Sequence, residues 1–309
     1  MAVFRDIGDL NFKNTVVAIG NFDGVHCGHQ LLLRRLVDLA AQQYTRSVVL
    51  TFWPHPRQIL RPDDSAPLLL NTIDEKTILL NQTGVDDVVV FPFDRVLSQM
   101  SASDFIKDII IGKLNASHMV VGQDHQFGKN RNGTVQQLSE YTSQNDLSLE
   151  VVDLKTLDRK ISSSYIRQLL STGDLSLANK MLGYEYRISG KVIAGNHLGS
   201  TIGFPTANLE TYRYKLLPKE GVYRVKVKTD IDRSDRLGML FIGKQSVLKQ
   251  ESETTQIEVN IFDFDRQIYG QNVELALTHR IRDNIRFENI GQLAAQLHRD
   301  KQNILNISS

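Results

Sequence analysis

The chain offers almost nothing from which to build a disulfide framework. Its 309 residues include one cysteine, Cys27, so an intramolecular disulfide is excluded and a reducing compartment is expected. Charge of one sign is also missing. With 36 basic and 35 acidic residues the net charge is +1, so no global field draws the protein to nucleic acid or to an anionic membrane. No apolar run approaches the ~20 residues that a membrane span needs. The opening MAVFRDIGDLNF lacks the apolar core of a secretion signal. These absences lead to the expectation of a cytoplasmic protein with no nucleic-acid or membrane partner; a monomer or weak homo-oligomer is also expected, on no such absence. Repeats and low-complexity tracts are absent, and the length suits two domains.

The two halves carry different periodicities. Short apolar runs without alternation, at Val16–Ile19, Ser47–Phe52, Asp87–Phe91, His118–Gly122 and Leu149–Val152, read as strands covered on both faces. They alternate with helical patterns at Leu31–Gln42, Ile73–Thr83, Ala102–Ile111, Val135–Asn145 and Ser163–Ser171. This predicts an α/β domain over 1–182 with a parallel sheet. Past Leu182-Gly183 the period becomes two, at Tyr186–Val192, Val222–Lys228, Gln256–Phe262 and Val273–Thr278, with glycine and proline between. An antiparallel barrel or sandwich is expected over 183–309, closed by a helix from Asn289 to Ile304.

The densest local signal is VVAIGNFDGVHCGHQLLL, Val16 to Leu33. An apolar strand turns through Gly20-Asn21-Phe22-Asp23-Gly24 into a helix. Free N–H groups and the helix dipole at such a corner favour anions. His26 and His29 add neutral donors, and Gly28 leaves room for phosphate to approach the backbone. Cys27 occupies the variable position between them, either as a small filler or as a nucleophile. The pattern H-x-G-H resembles the signature of the nucleotidylyltransferase superfamily, whose members join a nucleotide α-phosphate to an acceptor and release pyrophosphate.

Three more segments fall at strand ends or helix starts. In Thr51-Phe52-Trp53-Pro54-His55-Pro56, prolines flank His55 and stiffen the loop, which is either a rigid turn or a binding element. In Gly122-Gln123-Asp124-His125-Gln126-Phe127-Gly128, Asp124 is placed to bond a ribose or base, and Arg131 in the following basic loop to meet phosphate; the alternative is a surface loop. In Ile161-Ser162-Ser163-Ser164-Tyr165-Ile166-Arg167, Ser162, Ser163 and Arg167 form either a helix cap or an anion clamp.

The second half has GNHLGSTIGFPTANL from Gly195 to Leu209, with Gly195, Gly199 and Gly203 at four-residue intervals. Such glycines suggest backbone held close to a ligand. Thr206 and Asn208, two apart on an extended segment, offer hard oxygen donors on one side, as Mg²⁺ prefers; a polar turn is the alternative. Glu258 and Asn260 share one face of an alternating strand, which lines a cavity or faces solvent.

In their order and spacing these segments resemble the bacterial FAD synthetases, bifunctional enzymes with riboflavin kinase and FMN adenylyltransferase activities. The resemblance implies a Rossmann-like nucleotidylyltransferase domain over 1–182 and a riboflavin kinase barrel over 183–309. It implies ATP, riboflavin and FMN as substrates, FAD as product, and Mg²⁺ as cofactor. His26 and His29 would be catalytic, with Gly20, Phe22, Asp23, Gly28, Ser162, Ser163 and Arg167 around ATP phosphates. His55, Asp124, Phe127 and Arg131 would meet FMN or nucleotide. In the barrel, Gly195, Gly203, Pro205, Thr206 and Asn208 would hold ATP and Mg²⁺, Glu258 would be the base, and Arg282 and Phe287 would bind flavin. The chain departs from the family pattern at Ser164 and His125, and more heavily at Ser200, Phe241–Val247 and Asn284. Those barrel departures point to a slow kinase or an unusual substrate preference. Alternatives are an adenylyltransferase with weakened kinase activity, and a non-catalytic flavin-responsive regulator or carrier.

Overall fold

The computed structural model describes residues 1–5, 8, 10–60, 66–123, 134–153, 161–195, 198–244, 246–247, 250–251 and 255–307. The chain divides into two compact units, Met1–Ser163 and Ser164–Ser309.

In the first unit the elements run β1 (Ala2–Phe4), β2 (Thr15–Ile19), α1 (Cys27–Gln42), β3 (Arg46–Trp53), α2 (Pro56–Leu60), α3 (Ile73–Asn81), β4 (Asp87–Pro92), α4 (Arg95–Gln99), α5 (Ala102–Asp104), β5 (Ala116–Gly122), α6 (Val135–Ser143) and β6 (Ser148–Val152). All strand pairings are parallel, in the order β1-β4-β3-β2-β5-β6. β2 is buried along its whole length, as unbroken Val-Val-Ala-Ile in a sheet covered on both faces requires. One face carries Val17, Ile19, Val48, Leu50, Val89 and Phe91 against Phe105, Ile106, Ile109 and Ile110. α1 buries Leu32, Leu33, Leu36 and Leu39. Each fully buried leucine contributes roughly 1.5–3 kcal/mol.

The strand order turns back at β2. The chain builds outward through β3 and β4, then returns to β2's other side as β5. Open α/β sheets hold ligands at the carboxyl ends of strands flanking such a reversal, and the Gly20 corner and Gly122 lie there.

Five strands match the expected segments; β1 is an addition, a three-residue edge paired, among the described residues, to β4 alone. The helix expected over Ala102–Ile111 is α5 followed by a π-helical stretch, Phe105–Ile111. Its wider turn ends with the Gly112 N–H donating to the Lys107 carbonyl at 2.9 Å. A Cβ at Gly112 would lie 2.7 Å from the Asp108 carbonyl oxygen, so a side chain there would force the turn open.

The second unit takes nearly all of α7 (Ser163–Thr172), then α8 (Leu175–Leu182), β7 (Tyr186–Ile193), α9 (Leu198–Thr201), β8 (Ala207–Thr211), β9 (Gly221–Thr229), β10 (Arg236–Gly243), β11 (Ser246–Val247), β12 (Gln250–Glu251), β13 (Gln256–Ile261), β14 (Asn272–Arg282) and α10 (Ile290–Asn306). α7 and α8, grouped by pattern with the first half, make their contacts mainly in this unit, and α8 packs on β7 and β14. Six antiparallel strands close in the order β10-β13-β8-β7-β14-β9, with β9 pairing back to β10. β8 and β10 complete a barrel of which the alternating pattern marked four strands. β11 and β12 form a separate small ribbon. α10 docks through Ile304 and Leu297 onto Phe204, Val222, Met239 and Phe262.

Candidate active sites

In the first unit the site grows from strain at the end of β2. Phe22 and Val25 are non-glycine residues with positive φ, 46° and 35°, and Gly24 between them has φ 88°. A β-branched valine resists that region, and strain of this kind persists where surrounding structure over-determines it. Asp23 is buried and its carboxylate accepts from the backbone N–H groups of Leu70 (3.0 Å) and Asn71 (3.3 Å). Its carbonyl accepts from Ser163 Oγ at 2.8 Å. Asp23 therefore braces the turn from two sides, and Ser163 sits against it. Gly20 is packed by the Phe22 ring, 3.1 Å from where a Cβ would be.

His26 is the N-cap of α1, and its Nδ1 accepts from the His29 N–H at 3.3 Å. A neutral His26 with Nδ1 accepting carries its proton on Nε2. The two imidazoles stack, with centroids 3.6 Å apart and planes at 13°, and Phe22 meets His29 edge-on at 5.3 Å. His29 Nδ1 is buried without a hydrogen-bond partner among the described residues. Burial holds the His29 pKa well below its usual value, with His26 and Lys76 adding to the effect. Both rings are thus placed to act as neutral donors beside a helix N-terminus. Gly28 is buried one residue inside α1. Cys27 opens the helix half-buried, and burial pushes its thiol up, away from thiolate chemistry.

His55 is buried rather than exposed. Its Nδ1 accepts from the Arg57 N–H at 3.2 Å, and its own N–H donates to Gln58 Oε1 at 3.3 Å, so it organises the start of α2. Ser162 lies just before α7 in the first unit, and Arg167 lies on α7 in the second. Asp124, Phe127 and Arg131 lie outside the described residues.

One buried cation was missed by motif reading. Lys76, in α3, is 2% exposed, and its Nζ donates to Thr51 Oγ1 at 3.3 Å. Its signal is positional: it stands three residues after Ile73 and four before Leu80, where the helical pattern calls for an apolar side chain.

In the second unit the site is a cleft between the barrel and α10, lined by Phe204, Thr206, Val222, Met239, Phe241, Glu258, Asn260, Arg282, Asn284 and Phe287 among others. Glu258 on β13 is the register partner of Asn208 on β8, and Thr206 Oγ1 donates to Glu258 Oε2 at 3.3 Å. Burial raises the Glu258 pKa, and the Thr206 bond partly offsets the rise. Asn260 Nδ2 donates to the Pro205 carbonyl at 2.6 Å and fixes the segment entering β8.

The glycines here have reasons internal to the protein. A Cβ on Gly195 would lie 1.9 Å from Asn208 Nδ2, and one on Gly199 would lie 2.2 Å from the Phe204 carbonyl oxygen. Gly203 has φ 79° with open space around it. Arg282 lines the cleft while its guanidinium grips buried Asp300 of α10, Nε at 2.9 Å and Nη2 at 2.7 Å from Oδ2. Gln296 supports the same carboxylate at 2.8 Å. Among the altered positions, Phe241 and Asn284 line the cleft, and Asn284 Nδ2 donates to the Lys244 carbonyl at 3.2 Å. Thr206 and Asn208, beside Glu258, offer hard oxygens, which fit Mg²⁺ better than any softer metal.

A parallel sheet with strained glycine corner and stacked histidines, joined to a closed barrel with an oxygen-rich cleft, defines a two-module phosphate-transferring protein. The sequence profile for FAD synthetase matches residues 9–165 and that for riboflavin kinase matches 182–308. The chain is 37% identical to the bifunctional riboflavin kinase/FMN adenylyltransferase of Bacillus subtilis (strain 168), over 93% of this chain and 90% of the relative. It is 34% identical to that of Escherichia coli (strain K12), over 97% and 96%. A solved structure described as a macrolide-efflux protein from Streptococcus pneumoniae superposes with a TM-score of 0.86 at 33% identity, covering 99% of each chain. The chain belongs to the bifunctional riboflavin kinase/FMN adenylyltransferase family.

Proposed function

We propose that this protein makes FAD in two steps, phosphorylating riboflavin to FMN and then transferring AMP from ATP to FMN with release of pyrophosphate. The observation that carries the reading is the joint presence of both family modules over nearly the full chain. Residues 1–182 carry the adenylyl transfer and 183–309 the phosphorylation.

In adenylyl transfer an FMN phosphate oxygen attacks the α-phosphorus of ATP, and the bond to pyrophosphate breaks. His26, protonated on Nε2, and His29 donate to the phosphate oxygens as charge develops, from positions set before substrate arrives. Ser162, Ser163 and Arg167 hold the outer phosphates, and His55, Asp124, Phe127 and Arg131 contact FMN or the nucleotide. No covalent enzyme intermediate is needed.

In the barrel, Glu258 accepts the proton of the riboflavin 5′-hydroxyl as the γ-phosphoryl group transfers. Its raised pKa suits a base in a partly dry cleft. Thr206 and Asn208 would hold Mg²⁺, which when bound neutralises charge on the ATP phosphates. Gly195, Gly203 and Pro205, which do not line the cleft, are read as supporting the ATP side through the segment that carries Thr206, and Arg282 and Phe287, which do line it, as the flavin side. The substrates are small molecules and the setting is the cytoplasm.

A second reading, an adenylyltransferase with weakened kinase activity, is favoured by Phe241 and Asn284, altered residues that line the cleft itself. No described helix is long and apolar enough to cross a membrane. Incubating the purified protein with riboflavin, ATP and Mg²⁺ and separating FMN from FAD tests the proposal. FAD from riboflavin supports it; FAD from FMN only would establish the second reading.

A further inference from the structure

Lys76 presents a charge with incomplete compensation. A lysine this deeply buried ordinarily pairs with a carboxylate. Here its hydrogen bond goes to a neutral hydroxyl, Thr51 Oγ1 at 3.3 Å, and no ion pair of Lys76 occurs among the described residues. The nearby carboxylate, Asp23, directs its oxygens at the N–H groups of Leu70 and Asn71. Thr51 Oγ1 in turn donates to the Asn21 carbonyl at 3.2 Å. A relay therefore runs from α3 through β3 into the Gly20–Gly24 turn, and ends one residue from Phe22.

We propose that Lys76 is a positioning residue for adenylyl transfer: its ammonium braces the turn through Thr51 and places a fixed positive charge behind it, completed only when the phosphates of ATP bind. This rests on reading the first unit as an adenylyltransferase. The field of buried Asp23 offsets part of the ammonium's desolvation cost, and its hydrogen bond commits it to Thr51, so the charge is tied to the turn that Asp23 and Thr51 both hold. Asp23 and His29 are the titratable groups described as interacting with it. Burial lowers Lys76 to about 8, opposed by Asp23, so it is charged at neutral pH and helps to keep His29 neutral.

The test uses the full chain and measures steady-state FAD formation from FMN and ATP, with riboflavin phosphorylation as an internal control. Lys76→Met is expected to lower kcat/KM for ATP at least about tenfold, mainly through KM, and to leave phosphorylation within about twofold. Lys76→Arg is expected to restore most of the loss. In the parent protein kcat/KM falls as pH rises through about 8, where the ammonium loses its proton, and Lys76→Arg abolishes that limb. If Lys76→Met does not fold, Thr51→Val decides, with a smaller rise in KM for ATP expected. Parent-like KM in the variant that folds, or an alkaline limb that survives Lys76→Arg, would overturn the inference alone. A parent protein that forms no FAD from FMN would overturn the adenylyltransferase reading and this inference with it.

Discussion

His29 and Glu258 sit in sites of opposite electrostatic design. His29 is held neutral by burial and two neighbours that carry or can acquire positive charge. Its folded pKa lies below the unfolded value, so the unfolded chain binds more protons on acidification. Its contribution to stability is full above the unfolded pKa, about 6.5, and is lost as pH falls below it. The melting temperature of the parent should therefore drop between about pH 7 and pH 5 more than that of His29→Gln. In the same variant, and in His29→Ala, FAD formation from FMN should fall about 100-fold or more while riboflavin phosphorylation persists. Equal loss of both activities would argue against separate sites. Glu258 must be ionised to act as a base, and burial raises its pKa. The acid limb of phosphorylation should lie above the ordinary glutamate range, and Glu258→Gln should cost roughly 100-fold or more in kcat.

At the scale of the element, the informative case is α10. Arg282 reaches from the end of β14 to buried Asp300, and Gln296 completes that carboxylate. Removing one partner of such a pair leaves a charge stranded, so Asp300→Ala should destabilise the barrel by about 3 kcal/mol in urea unfolding and raise KM for riboflavin. Unchanged stability would show that α10 is held by Ile304 and Leu297 alone. This tether was not legible in the sequence, because Arg282 and Asp300 are 18 residues apart with no shared motif. The strand–turn–helix at Gly20 was legible, because local backbone chemistry sets it. The π-helical turn was not: apolar spacing over Ala102–Ile111 reads as ordinary helix, and the register shift depends on packing. β8 and β10 were missed because one opens in the glycine-rich motif and the other carries little alternation. Asn208 and Glu258 were recognised separately, and their direct pairing across β8 and β13 required the barrel register. Lys76 was passed over because a lysine in an amphipathic helix normally faces water.

At the scale of the whole chain, two chemistries in two units make a sharp expectation. His29→Ala should retain the kinase step, and Glu258→Gln the adenylyl step. A mixture of the two proteins given riboflavin and ATP should form FAD, whereas each alone should not. A mixture that stalls at FMN would mean that FMN does not leave the protein that made it.

The closed barrel carries one more consequence. A ring of six strands has no terminal member, since β9 returns to β10. A sheet with edges can add or shed its outermost strand while the rest persists. A ring missing one pairing is no longer a ring, and Glu258 and Asn208 face each other only where β13 meets β8 in the right register. Assembly of this half is thus a matter of all pairings or none, and the meeting of Glu258 with Asn208 exists only as a by-product of closure.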